Sequence, residues 1–597
     1  MKATALCIAV FCLLAAKLSA SLLVVSGESA KASDDNPGTE ENPLKTISAA
    51  AAKVRAGDKV VVHHGDYRET VIITASGTAE APIIFEAAPS ETPVIKGSDL
   101  IRLWERDAGD VWKSKLPALP QRGSSGKEAS FWRTNDVRQI FTRDGVLQQA
   151  ERLQRVGNRD EMRAGAFFCD VETSTLYLWL ADGGSPAEHP PEVALRGGWL
   201  SIFGSHVTVR GFAMRHASTS SLGQWAGCNL LGDHSTVENC SITWGDFAGC
   251  ALSGNHNCLR NSVIACNGNS GVAGTGEGHL MEGCRATFNN VDRYMPDWHA
   301  GGAKLIPRFQ HSIIRHNEFA RNLGPGLWLD AECNENIIDG NFFHDNEGPG
   351  LMVEVSSGNL VTNNITVANR NFLSGPFRNN AGKEDQFAHS EERIAPHRAF
   401  KMYHAGDGRG IFISSSPMTK VLHNTAYLNE GEGICVEGAP RGAFTTHGCF
   451  VVNNISVFNH GSQLTLRPDS GENENSRSIA DYNLLFSVGA VLAKNGWDGL
   501  AAVSMNDWRK LSGQDAHSID ADPRFAMAAM DDFRLFNGSP ALQSGKALTE
   551  VDHDYFGRRR DRERTTIGAC EAPAQIYPLP IWNVSEGGTM SAPVPKR

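Results

Sequence analysis

The chain has 597 residues, 41% of them hydrophobic and 21% charged, and a formal net charge of -11. That balance argues against nucleic acid as a partner, because a phosphate backbone is held by a basic face. Beyond the N-terminus no segment reaches the roughly 18 unbroken apolar residues that a membrane span needs, so none is expected.

At the N-terminus, Lys2, an apolar stretch over residues 3–16 and Leu18-Ser19-Ala20 read as a secretory signal cleaved after Ala20. The protein is therefore expected to be secreted or periplasmic. Loss of Lys2 and Lys17 with the signal makes it more acidic still, which favours solubility. Of 13 Cys, Cys7 and Cys12 lie in the signal, leaving an odd number. Cys228 and Cys250 occupy equivalent repeat positions, and a strand spacing of about 4.8 Å admits either a disulfide or two stacked core thiols. Neither CxxC pairs nor a Cys/His array with zinc spacing occurs, so no structural metal is expected.

Residues 21–103 predict a first strand at Leu22-Leu23-Val24-Val25, an Ala-rich helix over 46–54 that caps the fold, and the first repeats. Residues 104–196 break the repeat and read as an inserted β module, with strand-like runs at 139–142, 166–170 and 175–179. Repeats resume near His206 and continue in a segment spanning 197–490, interrupted by a long loop at 370–399 rich in charge. A loop of that length is more often functional than not. Residues 491–597 are expected to form a C-terminal capping tail that seals the far end. His63, His64, His216, His234 and His256 are scattered and expected to be structural or exposed.

One phrase recurs eight times: Val-Glu-Asn-Cys (237–240), Leu-Arg-Asn-Ser (259–262), Met-Glu-Gly-Cys (281–284), Ile-Arg-His-Asn (314–317), Ile-Asp-Gly-Asn (338–341), Val-Thr-Asn-Asn (361–364), Val-Leu-His-Asn (421–424) and Val-Val-Asn-Asn (451–454). Most steps are about 22 to 24 residues, rich in β-branched residues and Gly/Asn turns and without helical spacing. That period suits one rung of a parallel β-helix, an all-β solenoid. The column Asn317, Asn341, Asn364, Asn424, Asn454 then reads as an inward amide ladder, so the sequons at Asn364 and Asn454 are expected to be buried.

These repeats resemble those of the secreted right-handed parallel β-helix proteins, a family that includes pectate lyase-like enzymes and β-helical glycoside hydrolases. The N-terminal Asp-Asn-Pro-Gly-Thr, Gly-Asp and Gly-Asp-Tyr-Arg-Glu segments carry the same resemblance. It implies a right-handed solenoid and a carbohydrate-directed role, and it leaves the reaction open, because this fold hosts lyases, hydrolases, epimerases and non-catalytic proteins.

Aligning the second strand of each rung on its Gly places Leu329, Val353, Ile413, Val436 and Leu466 inside. An exposed column Asp330, Glu354, Ser414, Glu437, Arg467 follows, with Lys304 and Trp328 in the neighbouring column and Glu332 two residues beyond Asp330. Adjacent stacked carboxylates repel, which raises one pKa and leaves one acid protonated and one ionised. Their rung spacing of about 4.8 Å is near the roughly 5 to 5.5 Å of retaining glycosidases, so Asp330 is assigned as nucleophile and Glu354 as acid/base, with the roles reversible. Glu354 with Glu437, about 9.6 Å apart, would instead suit inversion. The resemblance extends to residues 324–330 and 348–354, preceded by 298–304, although His299 stands where the family commonly has an acid. Trp328 is expected to stack on a sugar face, and Lys304, Asp297 and His299 to hold hydroxyls or an anionic substituent. Arg393 and Arg398 of the long loop point to an anionic glycan.

The substrate is thus expected to be a polysaccharide or oligosaccharide, cleaved without a cofactor. Two other readings stay open. One is a lyase or epimerase with Lys304 as base and Ca²⁺ on Asp330, Glu332 and Glu354; the other is a glycan-binding scaffold without turnover. Stacked rungs with capped ends give no reason for an oligomer, so a monomer is expected.

Overall fold

The computed structural model describes residues 20–116, 137–143, 151–219, 226–371, 407–466, 477–571 and 573, apart from positions 295, 297, 298, 439, 443, 490, 497 and 498. The signal segment therefore lies outside the described residues, as does all of the 370–399 loop beyond its first two positions. No helix among the described residues is long and apolar enough to cross a membrane.

Three long stacks of short parallel strands form the molecule, a right-handed parallel β-helix. The first runs from Leu22–Val25 to Ile479–Asp481, the second from Gly65–Tyr67 to Leu484–Phe486, and the third from Val71–Ile73 to Ala493–Lys494, where a short antiparallel strand, Ala501–Ala502, ends it. Each rung contributes one strand to each stack, and alternation along a three- or four-residue strand decides what is enclosed. In the third sheet Leu305, Leu329, Val353, Ile413, Val436 and Leu466 pair in register and are at most 1% exposed. A single rung buries too little to persist alone, so this continuous column is where stacking generates stability.

Two polar ladders run at the corners. Asn317, Asn341, Asn364, Asn424, Asn454 and Asn483 each pass an amide N–H to the carbonyl of the next at 2.9–3.1 Å. Asn364 and Asn454 are fully buried, which bars glycan transfer to either sequon in the folded chain. A second ladder, Asn267, Asn289, Asn322, Asn346, Asn369, Asn429 and Asn459, does the same at 2.8–3.0 Å. Glycine makes room for it: a Cβ on Gly350 would lie 2.8 Å from Asn369 Nδ2 and 2.9 Å from the Gly410 carbonyl. Gly350→Ala is therefore expected to destabilise by about 1–3 kcal/mol, the usual cost of overpacking, seen as a lower midpoint in denaturant unfolding.

The helix Ile47–Lys53 starts at Thr46, whose side chain accepts from the Ala49 N–H, and buries Ile47, Ala50 and Ala51 against Val25, Val60 and Phe85. It covers the open N-terminal end. Between the strands Pro93–Lys96 and Leu200–Ile202 the chain leaves the solenoid and builds two small, mostly antiparallel sheets with their own core around Ile140, Phe167, Leu176 and Val193. The strands Ile140–Arg143, Ala166–Asp170 and Thr175–Trp179 lie where the aromatic-rich runs place them.

The C-terminal end departs from expectation. It is sealed by the helix Met505–Ser512, whose Met505 and Trp508 join the solenoid core with Leu466, Leu492 and Ala502. The tail beyond it turns back along the flank. Phe533, Ala569 and Cys570 pack on Ile365 and Val367, and Leu535, Ala541 and Ile567 on Ile455, Val457 and Leu484. Among the described residues of the tail, the 505–512 helix therefore caps the end, while residues between 525 and 570 cover the outward apolar residues of the second sheet.

His553 pins that tail, its Nε2 2.9 Å from Asp339 and its Nδ1 2.9 Å from Asp552. The Asp339 carboxylate, with Asp552 and against partial burial, pushes the imidazole pKa up to about 9. A folded pKa above the unfolded value gives stability that is complete below about 6.5 and lost as pH rises through about 9. His553→Gln is expected to abolish that pH 7–10 slope in urea unfolding, with wild type as the reference.

All eleven described cysteines are free thiols, including the in-register Cys228 and Cys250, so the stacked-thiol alternative holds. The interaction with Cys250, and then burial, hold the Cys228 thiol well above its ordinary pKa, which keeps it protonated and inert. His206, His234 and His256 form a stacked column with centroids 4.8 Å apart, more ordered than a scatter of exposed residues.

Candidate active site

The third sheet carries the site on its outer face. Lys304, Trp328, Met352, Phe412 and Cys435 pair in register as one outward column, and Asp330 and Glu354 follow in the next. Since Leu329 pairs with Val353, Asp330, directly after the strand Leu327–Leu329, lies beside Glu354 at the end of the neighbouring strand Leu351–Glu354, at a backbone strand spacing of about 4.8 Å.

Their surroundings differ. Asp330, 15% exposed at its side chain, takes a hydrogen bond of 2.8 Å from the Lys304 ammonium, which is itself 1% exposed. Burial lowers the Lys304 pKa, opposed by the negative charges of Asp330 and Glu354. Glu354, 2% exposed, accepts at Oε2 from the Trp328 indole at 3.2 Å and at Oε1 from the Arg441 guanidinium. Burial, then the Asp330 charge, push its pKa up to about 7, against the pull of Lys304, Arg441 and the indole. A carboxyl that titrates near neutral pH thus stands beside one held by an ammonium.

Several expected roles are changed by packing. Trp328 is only 2% exposed, and the Lys304 ammonium stands 2.9 Å from its ring centroid. One face of the indole is therefore taken by a cation and the ring, packed with Met352, Phe412 and Cys435, is no open platform for a sugar. Glu332 departs from the groove partners, because Ala331 and Glu332 turn at positive φ and Glu332 joins exposed Arg308 at 2.9 Å. Glu437 is 2% exposed, on the second strand beyond Glu354, with Ser414 between them. His299 is buried, its Nδ1 2.7 Å from Asn269 Oδ1, and burial with Lys304 nearby lowers its pKa to about 3. It is a neutral ring at the groove's N-terminal side. Asp297, Arg467, Arg393 and Arg398 lie outside the described residues.

A calcium site on Asp330, Glu332 and Glu354 does not fit. Each carboxylate already faces a different cation, Lys304, Arg308 and Arg441 respectively, and the Glu332 pair is exposed at the surface. Calcium wants six to eight oxygens converging on one point. Among the described residues no group of three or more His, Cys, Asp or Glu is arranged to hold a metal.

Arg441 was not legible among the repeats. It follows the last outward residue of its rung and opens a tight hairpin, paired with Phe444 through hydrogen bonds of 2.8 and 3.1 Å and turned by Gly442 at φ 63°. That hairpin brings it to an acid 87 residues earlier. Arg409 was also missed: buried, it pairs with Glu432 at 2.7 Å and lies over Phe412.

Residues 226–382 match the family described as right handed beta helix region, and residues 306–479 the family described as periplasmic copper-binding protein (NosD). Over 68 residues the chain is 40% identical to the uncharacterized protein YwoF of Bacillus subtilis (strain 168), covering 11% of this chain and 14% of YwoF. Over 162 residues it is 37% identical to the pectate lyase PEL9 of Emericella nidulans, covering 26% of this chain and 37% of PEL9. The chain thus spans well under half the length of these two curated relatives. Among solved structures, that of XylC in complex with xylose superposes with a TM-score of 0.61 at 16% identity, covering 92% of this chain and 98% of XylC. These likenesses agree with the three parallel stacks described above.

Proposed function

We propose that this right-handed parallel β-helix is an exported glycoside hydrolase, with Asp330 as nucleophile and Glu354 as acid/base in a retaining reaction. One observation carries this reading: adjacent carboxyls in opposite environments, Asp330 against a buried ammonium and Glu354 buried with its pKa near 7. In the first step Glu354 gives its proton to the glycosidic oxygen as the Asp330 carboxylate bonds to the anomeric carbon and the C–O bond breaks. In the second, water attacks that carbon, Glu354 takes its proton, and Asp330 leaves as carboxylate. The adjacent pair is preferred to Glu354 with Glu437, because the Asp330 charge contributes to the raised Glu354 pKa.

Lys304, Arg308, Arg409 and Arg441 each pair with a carboxylate. This supports an uncharged ring at the point of cleavage, and any anionic part of the glycan is assigned to Arg393 and Arg398. Unchanged binding of acidic oligosaccharides after both are substituted would remove that assignment.

The test is product analysis on neutral, uronate and sulfated glycans, with xylosides included because the similar XylC structure is a complex with xylose, with and without a chelator. Reducing sugar released regardless of chelator, with the anomeric configuration kept by NMR, supports the proposal. Unsaturated, calcium-dependent products transfer the site to lyase chemistry, and binding without turnover leaves a scaffold. On the hydrolase reading, kcat/KM falls as pH rises through about 7, where Glu354 loses its proton.

A further inference from the structure

Glu354 offers two oxygens with different fates. Oε2 faces the Trp328 indole N–H inside the packed column, whereas Oε1 faces Arg441, whose side chain is 40% exposed. Indole and guanidinium are donors with no acceptor atom. The indole N–H already donates to Oε2, so the acid form is assigned its proton on Oε1, the oxygen on the more exposed side. That oxygen is the one Arg441 covers, and a proton on Oε1 finds no acceptor in a guanidinium.

Resting on the assignment of Glu354 as acid/base, we propose that Arg441 is a positioning residue that clamps Oε1 of the ionised carboxyl in the free enzyme and moves off it when a glycoside binds. Freed of the guanidinium, the carboxylate takes a proton from solvent at Oε1, and the glycosidic oxygen takes the vacated place and accepts that proton. The hairpin that carries Arg441 is closed by its own backbone hydrogen bonds to Phe444, so the guanidinium can leave without unfolding the turn. Once the Asp330 carboxylate is consumed as an ester, its repulsion on Glu354 disappears, and the returning Arg441 supports Glu354 as the base that takes the proton from water. Among the described residues, the charged groups facing Glu354 are Asp330 and Lys304 from the preceding rungs and Arg441 from the hairpin. Ser414 is its neutral neighbour on the next strand, and Glu437 lies one strand further.

Two measurements on wild type, Arg441→Gln and Arg441→Lys decide it. In the free protein, Glu354 is titrated by carboxyl 13C NMR, with Glu354→Gln identifying its signal. Arg441→Gln is expected to raise its midpoint by at least about half a unit, a threefold change in the protonation constant, and Arg441→Lys by less. With a turned-over glycoside, the alkaline limb of kcat/KM, which reports the free enzyme, is expected to move with that midpoint, while the limb of kcat stays within about 0.2 units. An unmoved Glu354 midpoint overturns the proposal, as do equal shifts in both limbs. Retained hydrolysis by Glu354→Gln overturns the acid/base assignment itself, a separate result from either.

Discussion

Glu354→Gln is expected to lower kcat/KM by about 10²–10⁴-fold on glycosides with poor leaving groups, the range for a lost general acid. On aryl glycosides with acidic phenols it is expected to lower the bond-breaking step far less, because such leaving groups depart without a proton. The carboxamide keeps the shape and an acceptor for the Trp328 indole, so this contrast isolates the proton. Asp330→Asn is expected to bring both substrates to background, since it removes the nucleophile and strips the Lys304 ammonium of its counter-charge. Stopped-flow rates on a leaving-group series check both. If Glu354→Gln slows all leaving groups equally, Glu354 holds substrate and is not the acid.

The largest expected effect on stability lies away from the groove. Glu192, on the strand Glu192–Ala194 that ends the inserted module, accepts from Arg68 at 2.9 Å, Lys96 at 2.7 Å, Ser98 at 2.8 Å and pairs with His216 at 2.8 Å. Burial opposes its charge, yet His216, Arg68 and Lys96 hold the carboxyl far below the usual range. Its contribution is therefore present above about pH 4.5 and lost as pH falls further. Glu192→Ala leaves Lys96, 3% exposed, without this counter-charge, and breaking a buried pair from one side costs about 3–5 kcal/mol. The expected result is a lower Tm and faster proteolysis between residues 100 and 196, with the solenoid strands slower to cleave. Unchanged Tm would mean Asp66, 3.0 Å from Lys96, carries the charge alone.

The solenoid was legible because its repeat is a physical one: Asn341 and its equivalents recur at the spacing of one rung, and Leu329, Val353 and Ile413 alternate inward. The second ladder carried the same signal, an Asn five residues after each of Asn317, Asn341, Asn364, Asn424 and Asn454, and was hidden by the turn composition around it. Asp330 and Glu354 could be placed together from register alone. What covers a column could not, since alternation gives direction and no neighbour; Trp328 points outward yet is buried under Lys304 and beside Met352. Arg441 depends on a hairpin between rungs, and the tail residues Phe533 and Leu535 carry no spacing that tells an end from a flank.

The ladders also bear on how such a chain changes over generations. Successive first-ladder asparagines are separated by 24, 23, 60 and 30 residues, yet their amide bonds are alike within 0.1 Å. Each Asn indexes its rung to the next whatever lies between, and the closure cost of a longer excursion grows only by about 0.6 kcal/mol per doubling. Material can therefore be gained, lost or exchanged between index points while the interval separating Asp330 from Glu354 stays put. On the proposed hydrolase reading, substrate choice is free to drift in the inserts, while the carboxyl spacing that would set the stereochemical outcome is inherited with the scaffold.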